Sequence, residues 1–391
     1  MEFCYRCSLC GRIFSIDPQL TLCPDCVKQQ QKDQPLSGVL DVELSGSVDP
    51  QFDIFDLLPV EREYFPPAPV GGTPLWEPQN LRSELGFPRL FIKDDGANPT
   101  SSFKDRASFL VSAFAKKFGI QDIALASTGN AGSSMAGIGA AAGQTITLFL
   151  PKYAPVAKLV QALQYGARVF RVDGSYDLAY DLSLEYSLKN GGMNRNTAYN
   201  PMTIEGKKTV SLELYQQLGC APDVVFVSVG DGCILSGVYK GFSDLQQLGL
   251  IADVPKIFGV QAETSNALCR ALESGRFTAE STSTVADSIC VDVPRNGVHA
   301  LAQIKKFGGE LISVSDKEII QAQARLSAST GLFTEPASAA AFAGFVKISP
   351  RLEQDALITV LATGNGLKDS ATAQLGINMP ERLISSVTDI L

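Results

Sequence analysis

Histidine is almost missing from this chain: His299 is the only one. Ser-His-Asp or Cys-His catalysis would rest on that single candidate, and a multi-histidine metal centre is excluded. His299 follows Val-Pro-Arg-Asn-Gly and precedes Ala-Leu-Ala, so it is expected to open a helix or line a surface turn, without a catalytic role. Basic tracts are missing too. The net charge is −8 and arginines do not cluster, so nucleic acid and anionic membranes are not expected partners. No apolar run reaches the roughly 18 residues of a spanning helix. Met1-Glu-Phe-Cys4 lacks the basic and apolar regions of a signal peptide, and a cytosolic location is expected. A chain this poor in histidine must take its acid–base chemistry from elsewhere, and a lysine working with a cofactor meets that need.

Cysteine, by contrast, is concentrated. Five of the nine cysteines fall within the first 26 residues. Cys7-x2-Cys10 and Cys23-x2-Cys26 form two knuckles, the zinc-ribbon pattern, and four thiolates at this spacing can close a tetrahedron around one Zn(2+). Disulfides are disfavoured in a cytosolic chain. Cys4 leaves the register ambiguous; pairing through Cys7 and Cys10 is preferred because Gly11 permits the tight knuckle turn. Four protein ligands leave no open position, so the zinc is expected to be structural. Cys220, Cys233, Cys269 and Cys290 are scattered and read as small buried apolar residues.

Residues 1–30 are therefore read as the ribbon. Residues 31–70, with a polar glutamine tract and Phe65-Pro-Pro-Ala-Pro-Val70, are read as a connector. Residues 71–391 are the catalytic domain. Within it, apolar runs at Asp122–Ala126, Thr145–Leu150, Arg168–Val172, Asp223–Val229, Lys256–Gln261, Glu310–Val314 and Ala356–Leu361 predict strands covered on both faces. Helical stretches such as Ala154–Leu163 and Lys317–Ser329 lie between them, giving a wound α/β architecture with parallel sheets.

The richest stretch is Asn98-Pro-Thr-Ser-Ser-Phe-Lys-Asp-Arg106. Thr100, Ser101 and Ser102 are capping residues, and Asp105 sits three after Ser102, close to a capping box. Phe109, Leu110, Ala113 and Phe114 recur at helical spacing. Lys104 thus opens an amphipathic helix, where the positive end of the dipole disfavours an ammonium and lowers its pKa. A neutral amine is what carbonyl chemistry needs. A second feature is the apolar strand ending at Val229, followed by Gly230-Asp-Gly-Cys-Ile234 and a helix expected from Leu235. Backbone N–H groups at such a junction bind phosphate. Asp231 is out of place beside a dianion, so its side chain is expected to turn outward as a cap or acceptor.

Together with Ser127-Thr-Gly-Asn130, Asn200-Pro-Met-Thr-Ile-Glu-Gly-Lys-Lys-Thr209 and Ala362-Thr-Gly-Asn-Gly-Leu-Lys-Asp369, these segments resemble the fold-type-II pyridoxal-phosphate enzymes, the tryptophan synthase β family, and within it the threonine synthases. The resemblance covers roughly residues 70 to 375. It implies two wound parallel-sheet subdomains, the smaller at roughly 100–205, with a pyridoxal 5'-phosphate cleft between them; the oligomeric state is not readable from the sequence, though a homodimer is common in that family. Lys104 would carry the cofactor and act as catalytic base, with Phe103 packed beside it. Val229, Gly230, Asp231, Gly232, Cys233 and Ile234 would cradle its phosphate, Asn130 would meet the ring hydroxyl, and Thr363 the ring nitrogen. Ser127, Thr128, Gly129 and Ala131 would take the α-carboxylate of a small amino-acid substrate, with Asn200 and Lys207 also in contact. The reaction implied is O-phosphohomoserine plus water to threonine plus phosphate. Thr203 stands where these enzymes usually carry a phosphate-binding arginine, Lys207 replaces a glutamine, and Ser101 replaces a common glycine. Phe333-Thr-Glu-Pro-Ala-Ser338 looks more like threonine dehydratases. A β-replacement enzyme such as cysteate synthase acting on O-phosphoserine, or a dehydratase, is the alternative. A non-catalytic ribbon protein would be expected to lack Lys104 or Thr363.

Overall fold

The computed structural model describes residues 1–152, 156–380 and 384–386. Its strands form three sheets. Near the N-terminus, β1 (Glu2–Cys7) pairs antiparallel with β2 (Ile13–Phe14) and along its whole length with β3 (Leu40–Ser45). The stretch read as a connector therefore supplies a ribbon strand, and the ribbon's sheet reaches beyond residue 30. In β3, Leu40, Val42 and Leu44 are buried, the period-2 alternation of a half-buried strand.

The larger catalytic sheet runs β12-β11-β10-β13-β5-β4: Glu310–Val314, Lys256–Ala262, Val224–Ser228, Ile358–Ala362, Leu90–Asp94 and Leu75–Trp76. All its pairings are parallel except β4 with β5. Central β10 shows why its sequence is continuously apolar. Val224 and Phe226 enter one core, Val225 and Val227 the other, so both faces are covered by helices. The smaller sheet is parallel, in the order β8-β7-β6-β9: Arg168–Val172, Thr145–Pro151, Asp122–Ala126 and Met193–Asn194.

All seven predicted strands are present within about two residues, a scatter normal for element ends. The predicted helix Ala154–Leu163 lies partly outside the described residues; from Val156 to Gln164 the chain is helical. Strands β4 and β9 have two residues each, too short for any periodicity. Strand β5 was hidden for another reason: its Lys93 and Asp94 are polar yet buried.

Lys93, with Asp95 just past the strand, belongs to an ionic cluster beneath the lysine helix, Lys104–Lys117. Arg106, 2% exposed, reaches Asp95 through Nε at 2.5 Å and Glu213 through NH1 at 2.6 Å. Lys93 Nζ lies 2.7 Å from Glu213 and donates to the Thr73 carbonyl at 2.7 Å. Thr73 in turn donates to Asp95, and the Gly72 N–H to Glu213. Removing one partner of such a cluster strands a buried charge.

Burial alone would raise the Glu213 carboxyl, but Arg106 and Lys93 outweigh it and hold it at about 2. The sign follows from linkage: this stabilisation is full above the unfolded-chain value of about 4.3, and it is lost as pH falls through about 2. Glu213→Gln is expected to cost about 3–5 kcal/mol at neutral pH in denaturant melts. Wild type should also lose stability more steeply than the variant below about pH 4; parallel acid profiles would contradict this reading.

Candidate active site

One cavity of about 390 Å3 opens between the two catalytic sheets. It gathers Lys104, the turn Ser127–Ala131, Lys207 and the loop Gly230–Ile234, segments widely separated in sequence.

Lys104 is the first residue of its helix and half-buried. The capping differs from expectation. Phe103 occupies the cap without a side-chain bond, while Asp105 reaches back to accept from the Thr100 N–H at 2.7 Å and from its hydroxyl. The chain between them turns sharply at Ser101, whose φ of 67° lies in the left-handed region that glycine adopts without strain. Desolvation pushes the Lys104 amine below the ordinary lysine range; Arg195 adds repulsion, while Asp231 and Glu335 oppose the shift. Burial is thus the leading cause of the amine's lowered basicity.

The helix Cys233–Gln247 starts two residues earlier than predicted, after Gly232 at φ 87°. No side chain caps it, so its first N–H groups are left for a ligand. Asp231 does not face away idly. Its Oδ1 accepts from the Arg295 N–H at 3.3 Å and its carbonyl from the Asn296 N–H at 3.1 Å, so it organises the neighbouring loop. Burial pushes the Cys233 thiol up to about 12, which keeps it protonated at neutral pH.

Ser127 is both cap and wall: its hydroxyl accepts from the Gly132 N–H at 2.9 Å at the start of the helix Asn130–Ala142. The Asn130 amide donates to both Glu335 oxygens, at 2.9 and 3.0 Å. Phe103, Val229 and Thr363 are buried beside the cavity and are not among the residues lining it. The Phe103 N–H donates to the Thr363 carbonyl at 2.9 Å, which ties the end of β13 to the residue before Lys104. Asn200 is not brought into the cavity. Its amide donates to the Asn194 carbonyl and its Oδ1 accepts from the Met202 N–H, so both ends are spent on the local turn. Lys207 lines the cavity, whereas Lys208 is bound by Glu205 at 2.5 Å and Asp244 at 2.8 Å.

Sequence reasoning missed Arg195 and Glu335. Arg195 follows the two-residue β9 and lines the cavity at 1% exposure. No pattern announced it. Glu335 had a signal, the Thr-Glu-Pro-Ala segment, but nothing in one sequence placed it against Asn130. His299 does open a helix, Gly297–Phe307, as expected. It is buried rather than on a surface turn, and Nε2 lies 2.8 Å from Asp41 of β3. Of the four scattered cysteines, Cys220 is exposed and Cys290 half-exposed; Cys233 and Cys269 are buried.

The Sγ atoms of Cys7, Cys10, Cys23 and Cys26 lie within 4.8 Å of one another, with the Cys7–Cys26 and Cys10–Cys23 pairs at 3.8 Å. A tetrahedron with Zn–S bonds of about 2.3 Å has edges of about 3.8 Å, so these thiols can hold one such ion. Cys4 is not in the group. The main cavity likewise fits pyridoxal phosphate: a desolvated amine, an uncapped helix start behind glycines, and a side-chain amide anchored by a carboxylate.

Comparison with known proteins agrees. A profile described as "Pyridoxal-phosphate dependent enzyme" matches residues 67–364. Threonine synthase of Methanocaldococcus jannaschii is 33% identical over 94% of this chain and 93% of its own. That of Methanosarcina acetivorans is 34% identical over 94% and 92%, and that of Halalkalibacterium halodurans 35% identical over 79% and 86%. Among solved structures, processed threonine deaminase isoform 2 from Solanum lycopersicum superposes with a TM-score of 0.68 at 22% identity, covering 85% of this chain and 93% of its own. Maize serine racemase gives 0.68 at 21% identity, covering 78% and 91%. These two likenesses establish the fold.

Two outcomes are expected. Borohydride reduction of the yellow protein should fix the cofactor to the peptide containing Lys104; an adduct mapped to another lysine would sink that assignment. Reduced protein should hold one zinc per chain, lost in Cys10→Ser and Cys26→Ser but kept in Cys4→Ser. Metal content near zero in the wild type would refute the ribbon site.

Proposed function

We infer that this chain, which belongs to the pyridoxal-phosphate-dependent enzymes and among them to the threonine synthase family, converts O-phosphohomoserine and water to threonine and inorganic phosphate. The observation that carries the reading is the relation to threonine synthases over 94% of the chain. Bound pyridoxal phosphate supplies the electron sink that makes a substrate Cα–H acidic. The rest falls to the protein.

The Lys104 amine, kept partly neutral by desolvation, takes the Cα proton and returns protons to the carbon skeleton. The turn Ser127–Ala131 receives the α-carboxylate at a helix start, where N–H groups favour anions. The loop Gly230–Ile234 holds the cofactor phosphate in the same way at the next helix. Glu335 fixes the Asn130 amide, so Asn130 meets the cofactor ring without rotating. The ribbon carries a structural zinc. The unpaired thiols suit a reducing, cytosolic setting.

Thr203, standing where the family usually carries arginine, favours a second reading, β-replacement on O-phosphoserine. The test is to incubate holoenzyme separately with O-phosphohomoserine, with O-phosphoserine plus sulfite, and with threonine. Phosphate and threonine are expected from the first. Cysteate without turnover of phosphohomoserine would select β-replacement, and rapid 2-oxobutyrate from threonine a dehydratase.

A further inference from the structure

Among the described residues, buried lysines and arginines are ion-paired, with two exceptions. Lys93 and Arg106 share Asp95 and Glu213, and Lys208 and Lys240 share Glu205 and Asp244. Arg195 and Lys207, each 1% exposed, have no ion pair among the described residues, and both line the active-site cavity. Arg195 makes only long contacts: NH1 to the Thr197 hydroxyl at 3.3 Å and NH2 to the Ser108 hydroxyl at 3.4 Å. Its Nε is buried without any hydrogen-bond partner. Lys207 Nζ donates only to the Thr203 carbonyl, at 2.6 Å.

Two desolvated cations side by side without a counter-ion are costly unless an anion enters from outside. Burial pushes the Lys207 amine down to about 7, and Arg195 and Lys104 add repulsion. Burial likewise lowers Arg195, to about 10. The carboxylate facing them across the cavity, Asp231, accepts from the Arg295 backbone. The arrangement is built rather than incidental. A side chain at Gly237 would place its Cβ 2.4 Å from the Cβ of Lys207, so glycine there admits the lysine stem. Thr203 cannot act as an anion clamp, since its hydroxyl donates to the Asn200 carbonyl at 2.8 Å. What it does supply is the carbonyl that aims Lys207.

We propose that Arg195 and Lys207 together grip the substrate's distal phosphate, replacing from the position just after strand β9 and from the helical turn Gly206–Lys208 the arginine that position 203 does not provide. The proposal rests on the reading of a phosphorylated amino-acid substrate. It makes Arg195 the specificity determinant: its planar guanidinium offers two parallel donors, and Lys207 adds a point charge. When phosphate leaves, the same pair receives the product dianion.

The test uses holoenzyme of wild type, Arg195→Gln, Lys207→Gln and Arg195→Lys. Inorganic phosphate binding is measured by calorimetry, cofactor content by absorbance, and turnover of O-phosphohomoserine alongside. The two glutamine variants should weaken phosphate binding by roughly tenfold or more and raise KM more than they lower kcat. Cofactor content should stay as in wild type, and Arg195→Lys should recover part of the affinity. Loss of cofactor, with normal phosphate binding once it is restored, would assign the pair to the cofactor's phosphate and overturn the proposal. Phosphate binding unchanged in all variants would overturn it too. If wild type binds phosphate through this pair yet does not turn over phosphohomoserine, the grip stands and the threonine synthase reading falls.

Discussion

The position of Arg106 governs the rest of the site. It lies two residues after Lys104, is fully enclosed, and is held by carboxylates from two other segments, Asp95 after β5 and Glu213 on the helix Thr209–Leu218. Through Thr73, Gly72 and Lys93 the cluster also fixes the loop that opens the catalytic domain. Such a cluster is a poor source of net stability, because each charge loses its hydration. Its value is geometric. A guanidinium with fixed partners sets the rotation of the lysine helix, and that rotation decides where the Lys104 amine sits.

Around that anchor the protein sorts its cations by whether they have a partner. Buried ones that fix the backbone are neutralised by carboxylates; among the described residues the buried pair facing the cavity, Arg195 and Lys207, is not, whereas the less buried Arg295 of the same lining is paired with Asp177. Neighbouring Lys207 and Lys208 show the division within one dipeptide. Lys208 is locked by Glu205 and Asp244, while Lys207 turns into the cavity. The ribbon joins the same frame. Asp41 on β3 pairs with His299, whose helix packs so closely on the loop Gly230–Ile234 that a Cβ at Gly232 would lie 2.8 Å from that of Ala300. The single histidine is thus a brace between the ribbon and the wall of the active-site cavity.

Much of this was legible in the sequence. Long, doubly covered strands announce themselves as apolar runs, because both faces must be filled. The knuckle cysteines announce a tetrahedral site, because spacing alone nearly determines it. Lys104 was visible because a helix start surrounds it. What escaped lies in contacts between distant segments. Strand β5 carries a buried charge, Lys93, whose partner Glu213 is more than a hundred residues away. Strand β3 sits in a stretch whose polar and proline-rich ends masked it. Asn200 looked like a ligand residue by position, yet its amide is consumed by a turn. Arg195 sits beside a strand of two residues, where no period exists to reveal which side it faces.

The account's central claim is that the chemistry occurs at the substrate's carbon skeleton beside Lys104, with phosphate leaving intact into a cationic pocket. Turnover of O-phosphohomoserine in oxygen-18 water, followed by mass spectrometry of both products, tests this most directly. The account predicts the label in the threonine hydroxyl and none in the released phosphate. Label in the phosphate, with homoserine as the other product, would mean attack at phosphorus and would contradict it.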